Sequence, residues 1–173
     1  MTDAAPLVLD GGLWRYALAF YAAPGASAAC LRLQDEAGVD VVELIFALYA
    51  SRVLGLPVDR ALLEAARDDL GVWRQDTVLP LRAIRRRLKP ARTDCPDATK
   101  EELRRLVQQA ELKAEQIQLA LLEQWARARP GAGGPASSAM DAVAEVLALS
   151  NASPEGALSD AVGTVVAAAG AAA

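Results

Sequence analysis

Apolar residues recur along the chain at spacings of three and four, and no stretch keeps the two-residue alternation of a strand, so the expected class is all-α. Trp14, Ala17, Leu18 and Tyr21 share one face of a first helix over about 12–22, which Pro24-Gly25 breaks. A second helix runs from about Ser27 to Ala37, with Cys30 and Leu33 on one stripe and Gly38 as its stop. Asp40 then caps a third, and Glu43 follows three residues on, as in a capping box. From Val41 to Ser51 that glutamate is the only charge, and Val41, Val42, Leu44, Ile45, Phe46, Leu48 and Tyr49 cover nearly every face. A helix apolar all round is enclosed by protein. Residues 40–54 are therefore expected to form the central rod of a compact multi-helix bundle.

Asp59 opens a fourth helix to about Leu70, with Gly71 past its end. Pro80 suits only a first turn, so the pattern predicts a short helix or turn around Trp73 and then a fifth helix from about Leu79 to Leu88. A linker at 91–98 precedes a capping box of Thr99 and Glu102 and a long helix over about 99–128. In that helix Leu103, Ala110 and Ile117 lie seven apart, as do Val107, Ala114, Leu121 and Ala128. This seam fits an arm packed antiparallel on the bundle, with a self-associating coiled coil as the alternative. The run PGAGGPASS at 130–138 reads as a flexible linker. Ser138 with Asp141, and Ser153-Pro154-Glu155, are candidate starts for two weak Ala-rich helices, and disorder is equally open there. The expected organisation is a core module at 1–91, a long helix at 99–129 packed on it, and a Gly/Pro linker with an acidic tail at 130–173, partly helical or disordered.

Composition narrows the chemistry. The 173 residues include 38 Ala and 25 Leu, both strong helix formers. There is no histidine, which removes Ser-His-Asp and Cys-His catalysis and His-ligated metals. Two cysteines, Cys30 and Cys95, are too few for a Cys-only zinc site, and no cofactor is expected. The net charge of −4 belongs to the tail, because residues 1–91 carry 11 basic and 11 acidic side chains and residues 92–129 carry seven of each. A balanced body gives no general pull toward nucleic acid or anionic lipid. No apolar run reaches the ~18 residues of a membrane span, and the start has no basic n-region. These features favour a cytoplasmic protein with reduced thiols.

Three groups are candidates for function. In the fifth helix Arg82, Arg85, Arg86 and Lys89 fall on one stripe beside an apolar face. Such a stripe serves an internal ionic network, an anionic ligand or an acidic partner; without interleaved aromatics it is a small footprint for nucleic acid. The corner LQDEAGVDVVE gathers Gln34, Asp35, Glu36, Asp40 and Glu43 around a helix–loop–helix turn. Asp40 and Glu43 have capping roles. Asp35 and Glu36 sit in a last turn, where an acid needs a cationic partner. Tyr16 and Phe20 lie off the Trp14 stripe and are groove candidates, although most of the aromatic residues read as core. Cys30 reads as a buried hydrophobe and Cys95 as an exposed thiol.

The residues Cys30-Leu31-x-Leu33-Gln34-Asp35, Gly38-x-Asp40-Val41, Trp73, Pro80-Leu81-Arg82-x-x-Arg85-Arg86-x-Leu88-Lys89 and Glu111-Leu112-x-Ala114-Glu115 resemble a proteobacterial family of small proteins of unknown function, over about residues 12–125. Val42 stands where that pattern has Asn. The resemblance implies a cytoplasmic all-α protein and brings no activity. It also groups Gln34-Asp35 and Asp40 with Arg82 and Arg85, which suggests that these acids and arginines meet across the bundle. Asp35→Ala would then cost on the order of 3–5 kcal/mol. The expected function is a non-catalytic protein-interaction or assembly module with a protein partner. The alternative is a binder of, or enzyme acting on, a small anionic ligand held between helices by the Asp/Glu–Arg cluster.

Overall fold

The computed structural model describes residues 6–91, 93–129 and 135–173, so most of the linker expected at 130–138 lies outside the described residues. Eight α-helices and no strand occur among them: α1 (Gly12–Ala22), α2 (Ala26–Ala37), α3 (Val41–Arg52), α4 (Arg60–Trp73), α5 (Leu79–Arg87), α6 (Asp97–Arg127), α7 (Ala139–Leu149) and α8 (Ser159–Ala172). The fold is an all-α bundle.

The rod at its centre is α3. Every residue from Val42 to Ser51 is buried, as its apolar perimeter requires. Asp40 caps it by accepting the Val42 N–H at 3.0 Å. Helices α1, α6, α7 and α8 surround it. The α2–α3 corner is tight because Gly38 takes a left-handed conformation (φ 67°) and closes α2 onto the Gln34 carbonyl.

Helix α1 turns a different face inward from the one its large residues suggest. Leu13, Tyr16, Ala17 and Phe20 are buried, whereas Leu18 and Tyr21 are exposed. Both sets have the i, i+3, i+4, i+7 spacing, so helical periodicity alone does not choose between them. On the buried side lies α8, which packs on α1 and α2 and takes the Tyr16 hydroxyl at its Ala169 carbonyl.

Gly71 does not stop α4. The helix runs through Trp73 into a π-helical turn at Arg74–Val78 and straight on into α5. Pro80 lacks an N–H and its ring crowds the turn behind it. The chain widens that turn, with the Leu79 N–H donating to the Arg74 carbonyl five residues back, and so stays helical. The long helix α6 begins at Asp97, two residues before the expected cap. There the buried Lys100 ammonium donates to Asp97 at 2.7 Å and to the Pro90 carbonyl at 2.6 Å.

Residues 135–173 join the core. Ser138 and Asp141 form a full capping box on α7, and Ser137 ties its approach to Ser51 and Val58. Val143, Val146 and Leu147 pack on α3, and Val162, Val165 and Ala169 belong to the same continuous core cluster. Helix α8 starts at Ser159 after a 3₁₀ turn at Gly156–Leu158, later than the Ser153 cap suggested.

Candidate functional site

Two clefts flank the α2–α3 corner, and between them they gather most of the charged residues of interest. The first has a volume of about 430 Å³ and lies between the start of α3, the α4–π turn and α6. Asp40 and Glu43 enter it from α3. The α4 helix supplies Arg67 and Gly71, and the π turn supplies Arg74 and Gln75. Glu43, buried in the first turn of α3, takes Arg67 in a fork: Nε to Oε1 at 2.6 Å and a terminal nitrogen to Oε2 at 2.7 Å. That hydrogen-bonded pairing raises the Arg67 pKa. Asp40 keeps one oxygen for its capping bond and pairs with Arg74 through the other. Gln118 and Leu122 of α6 close the inner wall.

The second cleft, about 320 Å³, lies between the end of α1, α2, α5 and α6. Arg82 donates to Glu111 at 3.0 Å and also pairs with Glu115. Arg85 grips Glu111 with two nitrogens, one of them at 3.1 Å. Burial pushes the Glu111 carboxyl up, but hydrogen bonds from Arg85 and Arg82 outweigh it and hold the group below the usual range. Glu115 goes the other way: burial raises it, Arg82 only partly offsets this, and Glu111 and Asp40 add like charge. Cys30 lies on the same cleft, and burial pushes its thiol up to about 12, which disfavours the thiolate at neutral pH.

The structure corrects the expected pairing. Arg82 and Arg85 do not meet Asp35 or Asp40; their partners are Glu111 and Glu115 on α6. Gln34 does line the second cleft beside them. Asp35, one step round α2, is exposed and has no ion pair among the described residues, while Glu36 pairs with Arg32 on the same helix. Asp40 and Glu43 face the first cleft instead. Arg86 and Lys89 are exposed at the end of α5. Tyr16 and Phe20 line no groove, at 4% and 0% exposure. The Tyr16 ring meets Tyr49 edge-on at 5.5 Å, and its hydroxyl points to the Ala169 carbonyl of α8 at 3.4 Å.

Sequence reasoning passed over Arg67, Arg74, Gln118 and Glu123. For Glu111 and Glu115 a signal was present, since both stand in the motif that carries the family resemblance. Arg67 and Arg74 are seven apart, two turns of one helix, but an expected break at Gly71 hid that relation. Among the described residues no three Cys, Asp or Glu side chains stand together as a metal site. No helix there is long and apolar enough to cross a membrane.

A family model described as a protein of unknown function (DUF2390) matches residues 12–122. That span holds both clefts and ends before α7 and α8. No curated protein and no solved structure matches the chain.

Proposed function

We propose, since the chain belongs to this DUF2390 family of unknown function, that it is a non-catalytic helical assembly module, which pairs with a second copy of itself through the outward face of α6. The observation that carries this reading is a second apolar stripe on that helix. The buried face runs through Ala114, Gln118 and Leu122. Leu103, Leu106, Ala110 and Ile117 form another stripe roughly 90° round the helix. Leu103 and Leu106 are 51% and 58% exposed. Their spacing alternates three and four, as a coiled-coil seam requires.

An identical helix running antiparallel complements this stripe. Leu106 of each copy seats against the small Ala110 of the other, and Glu102 comes beside Lys113 of the second copy. Glu102 and Lys113 are exposed and stand outside the chain's own ion pairs among the described residues. The non-catalytic part of the reading is supported by the clefts, whose arginines are bound to carboxylates. Two free thiols favour a reducing, cytoplasmic setting.

Light scattering across a concentration series tests the proposal. The mass should rise toward twice that of one chain. Leu106→Glu should hold it at one chain, with a melting temperature that matches the wild type at high dilution and no longer rises with concentration. Lys113→Glu should weaken pairing, and adding Glu102→Lys should restore it. A mass that stays at one chain, or pairing indifferent to Leu106→Glu, would overturn the proposal.

A further inference from the structure

We propose that the second cleft docks a helix of another protein, one that sets apolar side chains against the cleft and carboxylates along the cations of α5 and α6 beyond it. This goes beyond pairing through the outward face of α6 and does not depend on it. Leu112, which lines the cleft, stands roughly 120° round α6 from Leu106, so the helix can carry both contacts.

Three large apolar side chains from three helices meet at this cleft and remain in water. Tyr21 of α1, Leu31 of α2 and Leu112 of α6 line it, at 44%, 55% and 54% exposure. Single exposed apolar residues are ordinary, but a cluster rimmed by polar groups marks a contact surface. The rim includes Ser27, Gln34 and Gln108, whose side chains have no hydrogen-bond partner among the described residues. Arg82 and Arg85 are held by Glu111 and Glu115, so the cleft itself offers no free cation and its occupant is apolar there.

Free charge begins just beyond. Arg86 lies four residues after Arg82 on the same face of α5, and Lys89 closes the turn that follows. Arg105 lies three and seven residues before Gln108 and Leu112, on their face of α6. All three cations are exposed and form no ion pair among the described residues. Arg82 reaches Glu115 and Arg85 reaches Glu111, so α5 and α6 run antiparallel. Arg86, Lys89 and Arg105 therefore gather at one end of the pair, about two helical turns, or ~10 Å, from the apolar group. The exposed Asp35 on α2 repels acid at the other wall and leaves the partner's carboxylates to the α5 end. The walls are helices and offer no strand edge, so the occupant must satisfy its own backbone hydrogen bonds, as a helix does. Three cations beside an apolar group suit an acidic amphipathic helix better than a nucleic acid, which needs a wider basic face.

Fluorescence anisotropy of the full chain with labelled synthetic peptides tests the proposal. Each helical peptide has about 18 residues and a length of ~27 Å. Leucines occupy positions i, i+3, i+4 and i+7 of one half, and glutamates occupy the same face of the other half. Both orders are used, leucines first and glutamates first. One order should bind saturably with a Kd below about 100 μM, and its lysine-for-glutamate counterpart about tenfold or more weakly. Leu31→Ser with Leu112→Ser should abolish binding. Arg86→Glu with Lys89→Glu should reverse the preference between the two peptides. All four side chains are exposed, so both variants should melt close to the wild type. Failure of both orders to bind would overturn the proposal, as would equal binding of the lysine peptide or binding that survives Leu31→Ser with Leu112→Ser. Binding to vesicles of phosphatidylcholine and phosphatidylserine, with none to the peptides, would overturn it too and assign the cations to a lipid surface.

Discussion

Glu123 on α6 accepts the hydroxyl of Tyr49 on α3 at 3.1 Å, and the same carboxylate caps α1. Its two oxygens take the backbone N–H groups of Gly12 at 3.1 Å and Leu13 at 2.9 Å, while Arg127 donates to both Glu123 and Tyr49. Helix α1 has no side-chain cap of its own. A carboxylate more than a hundred residues away supplies one, and a Cβ at Gly12 would collide with the Tyr49 hydroxyl.

Removing that carboxylate takes the acceptor from four donors at once: the Gly12 and Leu13 N–H groups, the Tyr49 hydroxyl and Arg127. Glu123→Ala should lower stability by about 2–4 kcal/mol in urea unfolding, and Glu123→Gln, which keeps an acceptor, by less. Burial pushes the Glu123 carboxyl up, but hydrogen bonds from Leu13, Arg127 and Tyr49 outweigh it and hold the group below the usual range. The folded value therefore lies below the unfolded one. The stabilisation is complete above the ordinary glutamate range, near about pH 4.3, and is lost as pH falls through the folded value. The acid limb of a stability–pH curve should be shallower in Glu123→Gln.

The second cleft makes two glutamates on one helix respond oppositely. Glu111 holds both Arg82 and Arg85, and its folded pKa is lowered. Glu111→Gln should cost about 1–3 kcal/mol at neutral pH, a figure reduced because both arginines reach solvent. Glu115 has a raised folded pKa, so its ionised form disfavours the fold at neutral pH and the strain is relieved as pH falls through the folded value. Glu115→Gln should be neutral or slightly stabilising at pH 7, and any gain should fade on acidification. Thermal melts of the two variants at several pH values check both signs.

Asp35 provides the counter-case. The side chain is exposed in the last turn of α2, where the helix dipole disfavours an acid. Asp35→Ala should change stability by no more than about 0.5 kcal/mol. A loss of several kcal/mol in chemical denaturation would show that Asp35 has a partner other than solvent.

The two thiols should separate cleanly under a thiol reagent. Cys30 is 2% exposed, with its thiol pushed up to about 12 by burial, whereas Cys95 sits half-buried in the loop before α6. Ellman's reagent at neutral pH should titrate one thiol in the folded chain and two in guanidinium. Cys95→Ser should remove the folded-state signal.

Helices α7 and α8 are expected to be structural. Leu147 is buried against the core, and Leu147→Ala should cost about 2–5 kcal/mol. Removing residues 135–173 uncovers α3 and the Tyr16–Phe20 face of α1. The shortened chain should lose its cooperative melt and bind a hydrophobic dye.

The α3 rod shows what local pattern can settle. With apolar residues on all sides and a capping aspartate at its start, it has one stable environment, and its place at the centre follows from residues 40–51 alone. The same holds for the caps at Asp59 and Ser138, where side chain and backbone lie within three residues of each other. Helix α1 shows the limit. Two faces of equal periodicity compete, and the buried one is the face that meets α8, about 150 residues away. The Ala-rich tail was ambiguous for a related reason: small side chains bury little area individually, and only a preformed α1–α2 surface makes docking favourable.

Sequence by itself therefore determined the class and the central rod, because helical periodicity and capping are short-range. Which carboxylate meets which arginine was decided by the tertiary structure. An Asp and a Glu carry the same charge, and the registry of α6 against α5 brings Glu111 and Glu115 within reach of Arg82 and Arg85 while the pitch of α2 turns Asp35 into water. The meeting of Tyr21, Leu31 and Leu112 at one cleft belongs to the tertiary structure for the same reason. It is a property of three packed helices, and no spacing along one of them records it.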